Sequence, residues 1–86
     1  MNRTEFKALI LDTVPEVEVY FRNDTARIAL GYIERIDQCP VYTANKEAEI
    51  TNVLQLLGLQ YKVREADNCG NKYMRIDVKF TGGLHD

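Results

Sequence analysis

The chain predicts an α+β fold: a small mixed or antiparallel sheet of four to five strands with two helices on one face, ordered α-β-β-β-α-β-β. Three observations predict it. Apolar residues recur at helical spacing in two stretches, one at the start of the chain and one over residues 45–57. Two strictly alternating runs, 59–64 and 73–80, flank the turn-like stretch DNCGN at 67–71. One helix cannot bury the apolar sides of four or five strands, so two amphipathic helices share one face and leave the other open.

The first helix starts from a capping box, Asn2 followed three residues later by Glu5. Phe6, Leu9, Ile10 and Thr13 then lie on one side of it. Pro15 drives Val14 out of the helical region, so the helix stops near Thr13. EVEVYFR at 16–22 alternates Val17, Val19 and Phe21 against Glu18, Tyr20 and Arg22, a half-buried strand. NDTA supplies turn residues after it.

Residues 25–36 support two readings. Ala26, Ala29, Leu30, Ile33 and Ile36 form a helical stripe behind a capping Asp24. Ile28, Leu30 and Tyr32 alternate instead as a strand, and Gly31 weakens a helix by about 1 kcal/mol relative to alanine. The short polar turn before them favours a hairpin, hence a strand. Ile33 and Glu34 break its alternation and point to a bulge. DQCP then reads as a turn, with Pro40 opening a short third strand, VYTA at 41–44.

Asn45 is the expected cap of the second helix, with Glu47 and Glu49 near its positive end. Ile50, Val53, Leu54 and Leu57 form its stripe, and Gly58 supplies the left-handed stop. Inward residues of the last two strands are odd-numbered before the turn (59, 61, 63) and even-numbered after it (74, 76, 78, 80). Paired residues share a face, so each pair of numbers sums to an odd value. This demands a two- or four-residue loop, such as Asn68–Asn71 closed by Asp67 opposite Lys72, with positive φ at Gly70 or Asn71. Residues 1–81 read as a single domain, 82–86 as a fraying polar tail, and no internal repeat stands out.

Chemistry is sparse. A nucleophilic Cys69 needs a neighbouring base, and the only histidine, His85, is next to the C-terminus. No Gly-rich phosphate loop, Ser/His/Asp set or HExxH occurs, and the 67–71 oxygens are too few for a calcium loop. The expectation is therefore no enzyme, no cofactor and no metal. A parallel crossover from 41–44 to 59–65 would set Cys39 and Cys69 at opposite ends of the sheet, leaving free thiols. No run approaches the roughly 20 apolar residues of a membrane span, and the start lacks a signal-peptide core; a soluble, cytoplasmic protein is expected.

With 11 Lys and Arg against 13 Asp and Glu, the chain is not a globally basic nucleic-acid binder. Side-chain parity nonetheless gathers charge on the strand face away from the helices. Glu18, Tyr20, Arg22, Arg27, Arg35, Gln60, Lys62, Arg64, Tyr73, Arg75, Asp77 and Lys79 point there, seven basic against two acidic. Tyr20, Arg22, Lys62, Arg64, Tyr73, Arg75 and Lys79 are the candidate binding residues, with Arg64 and Asp77 a cross-strand ion pair. The first expectation is a non-enzymatic module that binds a protein partner. Small chains of this layout occur among phage and mobile-element proteins, some inhibiting a host nuclease or defence complex. The alternatives are a nucleic-acid-binding domain using the basic face, and a homo-oligomeric virion structural or assembly protein.

Overall fold

The computed structural model describes residues 1–80, and its elements begin where the local chemistry places them. Asn2 accepts a hydrogen bond from Glu5 N at 2.8 Å and caps α1 (Arg3–Thr13), which ends at extended Val14 before Pro15. A second cap opens α2 (Ala44–Leu56), but it is Thr43 rather than Asn45: its hydroxyl accepts from Lys46 N at 3.2 Å. Glu47 therefore lies in the first turn and Glu49 beyond it. The end of α2 follows the expected stop. Gly58 N donates to Gln55 O and Leu59 N to Leu54 O, both at 3.0 Å, the two bonds of a Schellman cap.

Four strands form one antiparallel sheet: β1 (Glu18–Arg22), β2 (Thr25–Tyr32), β3 (Gln60–Asn68) and β4 (Asn71–Lys79), in the order β1-β2-β4-β3. Residues 25–32 are strand, which settles the ambiguity of that stretch. The bulge lies earlier than Ile33 and Glu34: the β2–β4 register shifts between Ala29 and Gly31. The expected third strand at 41–44 shrinks to a single parallel bridge from Val41 to Tyr32. Tyr32 N donates to Pro40 O and Tyr42 N to Tyr32 O, both at 2.9 Å, where β1 no longer covers that edge of β2.

The β3–β4 turn has the required even length. Asn68 pairs with Asn71 and Asp67 with Lys72, so Cys69 and Gly70 alone form the loop. Both take positive φ, 54° and 86°, as a type I′ hairpin turn requires. Asp67 Oδ1 accepts from Gly70 N at 2.8 Å and braces the loop from the side.

Both helices pack on one face of the sheet around a single core. Phe6 and Ile10 from α1 and Ile50 and Leu54 from α2 are fully buried against Ala26, Ile28, Leu30, Ile76 and Val78. Phe6 meets Phe80 and Phe21 edge-on, with ring centroids 5.0 and 6.2 Å apart.

The topology also contains a duplication that the residue identities hide. Each half of the chain runs helix, edge strand, central strand, and the two central strands pair antiparallel. An approximate two-fold axis normal to the sheet thus exchanges the halves near the Ile28–Ile76 pair. Phe6 and Ile50, Ile10 and Leu54, and Val19 and Val63 occupy matching core positions, each 44 residues apart.

Candidate binding face

Alternation along each strand sends every second side chain to the face that carries no helix. Cross-strand pairing then assembles them into rows. Tyr20, Arg27, Asp77 and Lys62 form one; Glu18, Ala29, Arg75 and Arg64 the next; Arg22, Thr25, Lys79 and Gln60 the third. The seven candidate residues thus all lie on this outer face: Tyr20, Arg22, Lys62, Arg64 and Lys79 are exposed, and Tyr73 and Arg75 are half-buried. Arg35 does not join them. It lies beyond the last residue of β2, so the face carries six cations and two acids.

Asp77 organises the centre. Arg64 and Arg75 stand directly opposite each other, a like-charge pair that would repel if left alone. Asp77 lies between them: its Oδ2 is 3.2 Å from Arg64 Nε and accepts from Arg75 Nη2 at 3.2 Å. Its Oδ1 sits 2.8 Å from Arg75 Nε without hydrogen-bond alignment. In register, Asp77 faces Lys62, so the expected Arg64–Asp77 pair is a diagonal one. Arg27, the other in-register neighbour of Asp77, has a buried Nε with no hydrogen-bond partner among the described residues.

Unbroken alternation with Ile28 and Leu30 would point Tyr32 inward, and it does not. The bulge inserts one residue into β2, which turns Tyr32 to the outer face opposite Tyr73. The two rings pack edge-on with centroids 5.9 Å apart, and the Tyr32 hydroxyl accepts from Asn68 Nδ2 at 2.9 Å. The irregularity was legible in the sequence; its position, which decides where Tyr32 points, was not.

Cys39 and Cys69 are free, but the crossover argument for this fails. Residues 41–44 do not run beside β3, and Cys39 shares one cavity lining with Asn68, the neighbour of Cys69. Both cysteines thus lie toward the same end of the sheet. His85 and the expected tail lie outside the described residues. Among the described residues no cluster of His, Cys, Asp and Glu is arranged to hold a metal ion, and no helix is long and apolar enough to cross a membrane.

Comparison with known proteins finds no family model, no curated protein and no solved structure that matches the chain.

Proposed function

We propose that the protein is a non-enzymatic binding module whose outer sheet face docks an acidic surface of a partner protein. One observation carries this reading, the segregation of charge. Among the described residues, six of the chain's 11 cations but only two of its 13 acids project onto that face from the strands. A field of that shape steers an acidic partner to one side of the molecule and holds it in one orientation.

A protein is favoured over a nucleic acid because aromatic surface is scarce. Single-stranded nucleic acids are held by successive bases stacking on exposed rings. Here Tyr32 and Tyr73 are packed on each other and, with Tyr20, are gathered at one end of the face, so among the described residues the rows of cations carry no succession of exposed rings. The setting we assign is cytoplasmic. Within this reading the protein acts there as a small inhibitor of the kind phages and mobile elements direct at a host nuclease or defence complex.

Titration with poly-glutamate and with a single-stranded oligonucleotide of equal charge tests the reading. Poly-glutamate is expected to bind at low ionic strength and to weaken with salt. Combined Lys62→Glu and Arg64→Glu lowers its affinity at least about tenfold, whereas Lys7→Glu on α1 changes little. Absence of binding at low salt, or equal effects of the two charge reversals, overturns it. Preference for the oligonucleotide transfers the face to the nucleic-acid reading.

A further inference from the structure

We propose that the cavity at the Tyr32 end of the outer face binds an alkylammonium group, a methylated or quaternary amine. The inference rests on the lining of this cavity alone and holds whatever surface the basic face meets.

The cavity encloses about 480 Å³, within the size range of small-ligand sites. Tyr20, Tyr32 and Tyr73 line it, together with Glu16 and Glu18. Its opening follows from the fold. Beyond Glu18 the sheet loses β1, and the incoming segment at 38–40 forms the opposite wall. Ala29 and Gly31 add little side-chain bulk there, which gives the cavity depth.

Three features select a cation with an apolar skin. Aromatic faces carry negative potential and attract ammonium groups, most strongly where water is partly excluded. Among the described residues Glu18 has no cationic partner; its carboxylate accepts a hydrogen bond from the Tyr20 hydroxyl. Glu16 is shared with Lys46 Nζ at 3.2 Å, so it supplies a weaker share of the charge. Finally, among the described residues no lysine or arginine lines the cavity, although six occupy the same face. Arg75, opposite Ala29 in register, is bound to Asp77 instead. The edge-on contact of Tyr32 with Tyr73 and the Asn68 hydrogen bond set the rings before any ligand arrives.

Choline, its neutral isostere 3,3-dimethyl-1-butanol, and a short uncharged peptide bearing one trimethyllysine serve as probes. Binding is followed by NMR of the tyrosine ring signals. Choline is expected to shift Tyr20, Tyr32 and Tyr73 saturably, and the neutral isostere to bind about tenfold more weakly or not at all. Glu18→Gln and Tyr20→Ala each reduce choline affinity about tenfold. Both positions are exposed at their side chains, and an unchanged amide spectrum elsewhere verifies folding. A peptide bound more tightly than choline identifies the source as a partner's lysine; equal or weaker binding identifies a free amine. No saturable shift, or equal binding of the isostere, overturns the proposal.

Discussion

A methyl group placed on Gly31 would end 2.6 Å from both Tyr42 N and Val41 C, at a backbone φ of +136° that side chains rarely adopt. The close approach exists because the 40–42 segment runs directly along β2, so the neighbour in the way is backbone and cannot rotate aside. Gly31→Ala is expected to lower stability by about 2–4 kcal/mol, the combined cost of strain and overpacking, read as a fall in the urea midpoint. Cys69 is the opposite case. It holds φ 54° without being glycine, at the exposed tip of a two-residue turn, and a left-handed conformation costs a side chain about 1–2 kcal/mol. Cys69→Asn creates the Asn-Gly pair that such turns favour, and we expect it to raise stability by about 0.5–1 kcal/mol in the same assay. Parity limited that loop to two or four residues, and positive φ was expected only at Gly70 or Asn71, whereas the loop is Cys69–Gly70 alone. The strain at Cys69 stayed hidden because the residue type does not signal it.

Among the elements, those with a strong period and a terminal signal were legible: α1 from Asn2 to Pro15, and the β3–β4 hairpin from its two alternating runs. The second cap was not. Thr43 and Asn45 both cap well, and only the extended backbone of Thr43, φ −135°, chooses between them. That choice places Glu47 where the Tyr42 hydroxyl donates to it at 2.8 Å. The acceptor carboxylate, aided by burial, holds the Tyr42 phenol above its ordinary range. A raised pKa in the folded state favours the neutral phenol there. Its contribution is therefore fully present below about pH 10 and lost as pH rises through the folded value. Tyr42→Phe should remove this alkaline component. Urea midpoints measured from about pH 9 to about pH 11 should fall less steeply for the variant than for the native chain; parallel curves would exclude the coupling.

For the whole molecule, charge segregation was readable from alternation alone, because parity assigns faces without knowledge of strand order. The order and the duplication were not readable, since matching halves share only their apolar positions. The β3 edge is protected: a second copy pairing antiparallel along it around Arg64 would set Arg64 against Arg64. Light scattering is expected to give a monomer mass across concentrations. The two-fold arrangement has a further consequence. The two helix–hairpin halves meet along β2 against β4 and through the core beneath α1 and α2, and the connection at 33–43 links them. Two chains can therefore trade halves and rebuild the same seam twice, with every core contact kept, provided the connection is too short to fold back. Deleting residues 34–37 should convert the monomer into such an exchanged dimer with an unchanged amide spectrum away from the deletion. The length of a loop, more than any contact in the core, then decides whether this chain is one molecule or half of two.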